Sequence, residues 1–318
     1  MSLTEPSTAY RPFQYPWAYK YWEIQQQMHW LPSEVSLADD IKEFGNLDPV
    51  MKSLVVMIFR MFVQADIDVQ NCYHRLFQST FKPTEVGMML AAFSNMETVH
   101  IAAYSHLLDS LGLPESEYHA FLEYEEMKDK HDFMRGFDPK NPTETALSLA
   151  GVSAFGEGLQ LFASFAMLLN FPRQNLLKGM GQIISWSVRD ESLHCEGIMR
   201  LYHTYLAENP EIDRTVLSRR IHEMCAQVVT TEDRFIDLVF AAGDVPGLAK
   251  SELKAYIRYI ANLRLRGLGE PDLFEAGPNP LPWVDSQAVG IEHANFFERQ
   301  ATEYSKAATT GDWADVFS

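Results

Sequence analysis

Two Glu-x-x-His pairs, Glu97/His100 and Glu191/His194, stand inside apolar helical patterns of a single chain. Side chains three apart share a helix face, so each pair presents a carboxylate and an imidazole to the same neighbour. Tyr104, two turns beyond Glu97, falls on that face as well. A chain with 10 histidines shows roughly one Glu-x-x-His by chance. Two of them, together with a third carboxylate, Glu157, in the apolar run SAFGEGLQLFASFAMLLNF, demand a fold that turns charged groups inward and satisfies them there.

The remaining pattern is helical. From Pro49 the stretch VMKSLVVMIFRMFVQADIDVQNCYHRLFQ keeps helical periodicity for about eight turns. Pro83-Thr84-Glu85 opens a helix that runs to Leu111, where Gly112 and Pro114 stop it. A charged helix is expected over 115–131, and Thr143 or Thr145 is expected to cap a long apolar helix ending at Asn170-Phe171-Pro172. Further helices are expected over 173–207, 212–242, from the turn 243–247 to Leu265, and over 286–305. Residues 1–17, with Pro6, Pro12 and Pro16, read as an irregular arm. A short helix over Tyr19–His29 follows, interrupted at Trp30-Leu31-Pro32. With no run of alternating β-branched residues, the chain reads as all-α: one helical-bundle domain over 1–305 and a flexible polar tail over 306–318.

Charge and cysteine usage narrow the setting. A net charge of −17 with no basic stripe argues against nucleic acid, and bound cations can offset some of that acidity. Cys72, Cys195 and Cys225 are odd in number and scattered, which suits a reducing cytoplasm rather than a disulfide framework. The opening MSLTEPSTAYRPFQYPW has neither the basic start nor the apolar run of a signal peptide. Ser153 to Phe171 is long enough to cross a bilayer, but Glu157 and Gln160 inside it favour the core of a bundle over a membrane.

A bundle offering a carboxylate from each of two helices and a Glu-x-x-His from each of two others builds a dinuclear iron or manganese site. Here Glu157 is the third-helix carboxylate, and Asp66 and Asp68 compete for the fourth. Gly156 and Gly158 flank Glu157. Each glycine costs a helix about 1 kcal/mol relative to alanine, so the pair points to close packing or a local distortion there. Four carboxylates in a dry core repel one another unless protons or cations intervene, and two divalent ions would balance them. Carboxylate-rich ligation with two imidazoles suits iron or manganese.

Taken together, Glu97/His100/Tyr104, the lone Glu157, and Arg189-Asp190-Glu191-Ser192-Leu193-His194 resemble the small (beta) subunit of class I ribonucleotide reductase, a ferritin-like helical bundle with additional helices. The likeness extends over most of the chain. In that family the first carboxylate lies thirty-one residues before the first Glu-x-x-His glutamate, which selects Asp66 over Asp68. The resemblance implies one metal held by Asp66, Glu97 and His100 and another by Glu157, Glu191 and His194, with Glu97 and Glu191 bridging. It implies a tyrosyl radical on Tyr104 in a dry pocket that Leu161 and Phe165 help to line. Ser187 departs from the apolar residue expected one turn before Glu191.

Trp30 resembles the family's near-surface tryptophan, Asp190 the aspartate linking it to the ligand histidine His100, and Tyr304 the tail tyrosine that relays oxidising equivalents. The implied activity is that of the radical-generating subunit for reduction of ribonucleotides to deoxyribonucleotides. Nucleotide and thiol chemistry then belong to a large (alpha) catalytic subunit, on which the tail with Trp313 and Phe317 docks. A homodimer is expected, and a flavoprotein activase is a further candidate partner. Two rivals stand beside this reading: a ferritin-like metal oxidase with no partner, and a helical scaffold whose carboxylates merely pair with lysines.

Overall fold

The computed structural model describes residues 2–286. The expected helix over 286–305, Tyr304 and the tail over 306–318 fall outside the described residues, Ser286 excepted. α1 (Pro16–Gln27) follows an arm that is irregular through Tyr15, and α2 (Ala38–Asn46) follows a short 3-10 turn, Pro32–Glu34. α3 (Pro49–Cys72) opens at Asp48, whose carboxylate accepts from Val50 N at 2.8 Å and Met51 N at 3.1 Å. Pro49 fills a first-turn position that needs no amide donor. A π-helical segment, Tyr73–Phe77, and the single turn α4 (Gln78–Thr80) continue it. α5 (Thr84–Ser110) then carries the first Glu-x-x-His.

The charged helix is shorter and later than the sequence suggested. Two 3-10 turns, Glu115–Tyr118 and Ala120–Glu123, precede α6 (Glu125–Arg135). Arg60 of α3 reaches across to Glu117 and donates to Tyr124 Oη at 2.8 Å, a tertiary tether that overrides local helix preference. Neither Thr143 nor Thr145 caps the next helix. Asn141 does, accepting from Glu144 N at 3.1 Å, and Pro142 begins α7 (Pro142–Ala150).

The long apolar helix is also not continuous. A π-helical segment, Gly151–Glu157, and a non-helical turn over 158–161 separate α7 from α8 (Phe162–Arg173). Two carbonyls freed by this break are taken by cations: Arg264 Nε donates to Gly158 O at 2.8 Å, and Lys130 Nζ to Gln160 O at 2.7 Å. A Cβ on Gly158 would meet the Ala154 and Ser153 carbonyl oxygens at 2.6 and 2.7 Å, so the break needs glycine for close approach. The whole apolar window within 142–173 is buried by protein, which accounts for its composition without lipid.

α9 (Lys178–Glu208) begins after the loop 174–177, five residues later than expected. Its first amides are satisfied from outside: Asp40 of α2 accepts from Gly179 N at 3.1 Å and Met180 N at 2.7 Å, and Glu43 accepts from Leu177 N at 2.6 Å. α10 (Arg214–Val239), capped by Asp213, and α11 (Lys250–Gly267) follow, and 282–286 are again helical. α3 lies along α5, α1 covers α5, and α8 and the segment before it lie against α9. Among the described residues the only β-type pairing is an isolated Val245–Leu248 bridge. The expectation of an all-α fold is met.

Candidate metal centre

Asp66 of α3, Glu97 and His100 of α5, Glu157 at the end of its π-helical segment, and Glu191 and His194 of α9 converge in the bundle interior. All six are essentially without solvent exposure. They form two overlapping groups: Asp66, Glu97, His100 and Glu191, and Glu97, Glu157, Glu191 and His194. Within each, potential ligand atoms lie within 4.8 Å of one another. Glu97 and Glu191 belong to both groups. His194 Nδ1 is 2.9 Å from Glu97 Oε1 and 3.6 Å from Glu157 Oε1, while His100 Nδ1 is 3.4 Å from Glu97 Oε2 and 3.2 Å from Glu191 Oε1.

Asp68 does not join them. Residues two apart on a helix point roughly 200° apart around its axis, and Asp68 pairs instead with His131 and accepts from Gln64 Nε2 at 3.2 Å.

The outer nitrogens of both histidines are held. His100 Nε2 lies 3.3 Å from Asp190 Oδ2, which also accepts from Trp30 Nε1 at 2.8 Å. His194 Nε2 lies 3.0 Å from Gln25 Oε1, and the same Gln25 amide donates from Nε2 to Asp190 Oδ1 at 3.5 Å. Acceptors on both outer nitrogens favour the tautomers that leave each Nδ1 free to face the cluster. Arg189 donates to Asp190 Oδ1 at 3.2 Å, and Asp190, despite burial, is held below its usual range by His100, Arg189 and Trp30.

Inside the cluster the charges are strained. Burial raises Asp66, with the Glu97 carboxylate adding to it, and lifts Glu191 to about 8. Burial would lower both histidines, yet the facing carboxylates overrule it: Asp190, Glu191 and Glu97 raise His100, and Glu157 and Glu97 push His194 up to about 10. Asp66 Oδ2, both Glu97 oxygens, Glu157 Oε2, Glu191 Oε2 and both Nδ1 atoms make no aimed hydrogen bond among the described residues. A buried carboxylate–imidazole set with its inward atoms unpaired fits a dinuclear metal site.

Tyr104 is buried beside the Asp66/His100 side. Its ring lies 5.0 Å from that of Phe62, 5.9 Å from Phe59 and 6.3 Å from His100. Phe165 packs on Phe62 at 5.5 Å, and Leu161 lies in the non-helical turn rather than one helical turn after Glu157. Ser187, fully buried, stands by the Tyr104 phenol and donates to Ile183 O at 3.1 Å.

A family model described as ribonucleotide reductase, small chain, matches residues 7–280. The chain belongs to that family. It is the small subunit of a ribonucleoside-diphosphate reductase, an oxidoreductase whose large subunit is the catalytic partner. It is 41% identical to the probable ribonucleoside-diphosphate reductase small subunit of Invertebrate iridescent virus 3, over 98% of this chain and 88% of the relative. The fold is that of the ribonucleotide reductase R2 subunit from Clostridium botulinum, with TM-score 0.83 at 22% identity over 91% of this chain and 94% of the other. It is also that of the dimanganese(II)-NrdF of Streptococcus sanguinis, with TM-score 0.75 at 18% identity over 90% and 99%.

Within this small chain Trp30 is buried, although its neighbours His29 and Leu31 are exposed. Its ring lies 5.0 Å from Trp186 and 6.0 Å from His100. Sequence reasoning missed Gln25, Tyr73, Phe59 and Phe62. Tyr73 Oη donates to Glu157 Oε1 at 2.6 Å across 84 positions of sequence, and Gln25 meets His194 across 169. Neither contact has a local motif. The one available signal was an amide and a phenol on otherwise apolar helix faces.

Proposed function

We propose that this small chain holds two iron or manganese ions between α3, α5, the 151–157 segment and α9, and that it supplies the oxidising equivalent for ribonucleotide reduction. The observation that carries this is the sharing of Glu97 and Glu191 between two carboxylate–imidazole groups. Asp66, Glu97 and His100 would hold one ion, Glu157, Glu191 and His194 the other, with Glu97 and Glu191 bridging. Bound there, the ions supply one-electron redox chemistry, and a ligand set of four carboxylates and two imidazoles suits iron or manganese. A dimanganese form is named for the Streptococcus sanguinis protein of the same fold.

The protein's own groups then divide the work. The histidines must give up their protons at Nδ1 to bind an ion, while Asp190 and Gln25 keep the outer nitrogens oriented. Phe59 and Phe62 exclude water from Tyr104, a setting that suits storage of a radical on its phenol. The sequence His100–Asp190–Trp30 is a hydrogen-bonded line leading outward, with Tyr304 as its continuation toward the large subunit and the 306–318 tail as its dock. A homodimer, a flavoprotein activase and a cytoplasmic setting complete the proposal.

The deciding experiment is metal quantification with electron paramagnetic resonance on protein activated separately with oxygen and with superoxide. Two ions per chain and a metal-coupled or tyrosyl signal are expected. No iron or manganese after reconstitution would sink the reading, and metal binding without nucleotide reduction beside the large subunit would show that the pair does not supply the oxidising equivalent.

A further inference from the structure

The Glu157 carboxylate is approached from outside the cluster by one neutral donor, Tyr73. This tyrosine opens the π-helical segment 73–77, and Glu157 closes the π-helical segment 151–157. One hydrogen bond, Tyr73 Oη to Glu157 Oε1 at 2.6 Å, therefore ties two local departures from α-helix together beside the site. Such departures place a side chain where a regular helix would not.

The phenol is completely buried. Its ring lies 5.9 Å from Phe77, 6.2 Å from Phe93 and 6.1 Å edge-on from His194, so aromatic packing holds it from several sides. The distortions themselves are secured: Cys72 Sγ donates to Met134 O at 3.4 Å, and Cys195 Sγ to Ser153 O at 2.9 Å. Gly156 admits Met134, whose sulfur would lie 2.6 Å from any Cβ there. Tyr104, on the other side of the cluster, stands by Ser187 and takes no such position against a carboxylate.

We infer that Tyr73 is a positioning residue for Glu157: its hydroxyl holds Oε1, the oxygen that faces His194 Nδ1 at 3.6 Å, and so fixes the direction from which this carboxylate meets the second ion. A carboxylate held in this way offers that ion one oxygen in a fixed direction. Without the phenol Glu157 is free to rotate or to chelate through both oxygens. Among the described residues the Tyr73 hydroxyl hydrogen-bonds to Glu157 and not to Asp66, Glu97 or His100, so the effect falls on one half of the pair.

This inference rests on the metal reading above, and the test separates the two. Manganese(II) is titrated into the unsubstituted full-length chain and into Tyr73→Phe, with circular dichroism as a check on folding. Equilibrium binding gives the affinity of each equivalent, and paramagnetic resonance gives the signal of the coupled pair. Loss of an outer hydrogen bond to a ligand weakens metal binding about 10- to 100-fold. The expected result is a loss of that size confined to one equivalent, with an altered coupled signal. Two equivalents bound with unchanged affinity and an unchanged signal overturn the role of Tyr73, whereas failure of the unsubstituted chain to bind two equivalents overturns the metal reading instead. Should Tyr73→Phe not fold, 3-fluorotyrosine at position 73 keeps ring and hydroxyl. Its fluorine resonance should move as zinc(II) fills the Glu157 half, and a resonance indifferent to both equivalents overturns the inference.

Discussion

At the scale of single residues, hydrogen-bond partners separate groups that burial leaves alike. Asp66 and Asp68 are both buried in an apolar helix, and their partners separate them: His131 and Gln64 claim Asp68, whereas Asp66 Oδ2 has no hydrogen-bond partner among the described residues. Tyr104→Phe keeps the carboxylates and histidines intact, so it should bind metal as before and lose any tyrosyl signal in paramagnetic resonance. Nucleotide reduction by that variant would place the oxidising equivalent on the metals.

A second prediction concerns pH. Burial raises Glu232 from its ordinary 4.5 to about 7, against the pull of Lys130, whose Nζ lies 2.5 Å away. The folded chain holds this proton more tightly than the unfolded one. Its contribution to stability is therefore complete below the unfolded carboxyl's range and is lost as pH rises through about 7. Glu232→Gln should make the fall in melting temperature of the metal-free protein between about pH 5 and about pH 8 shallower than in the parent. An equally steep fall would assign that dependence to other groups.

At the scale of elements, the informative one is the broken helix from Pro142 to Arg173. Its apolar character was legible, and Gly156 and Gly158 pointed to a distortion, but the length of the break was not. A turn held by Arg264 from α11 and Lys130 from α6 depends on partners 106 and 30 positions away in the chain. The caps show the same division. Asp48 and Asn141 act locally on their own helices, whereas α9 is capped by Asp40 and Glu43 of α2, a contact with no signature in the α9 sequence. Gly158→Ala puts a methyl against two carbonyl oxygens and should destabilise the fold by about 1–3 kcal/mol in denaturant titration, with weaker metal retention, because Glu157 is the adjacent residue. A change within a few tenths of a kcal/mol would mean that the turn yields more readily than its packing implies.

At the scale of the whole molecule, spacing made four of the six candidate ligands legible, because residues three apart on two helices need no tertiary knowledge to be paired. Glu157 stood out as a carboxylate in an apolar run, whereas Asp66 was separated from Asp68 only by the family resemblance. The supporting groups were illegible for the converse reason. Deleting residues 306–318 should leave metal content unchanged and abolish nucleotide reduction in the presence of the large subunit, measured as product formation against the full chain. Undiminished turnover would remove the tail from the docking role.

The position of Gln25 and Trp30 has a consequence for how such a protein can be taken apart. Both precede Pro49, where the ligand-bearing part of the chain begins, yet Gln25 orients His194 and Trp30 completes the line from Asp190. In the proposed reading, storage and delivery of charge draw in part on different stretches of sequence, joined at His194 and Asp190 by Gln25 and Trp30. A lineage could alter the outlet without rewriting the reservoir, and a chain shorn of everything through Trp30 would be a battery with its terminal removed.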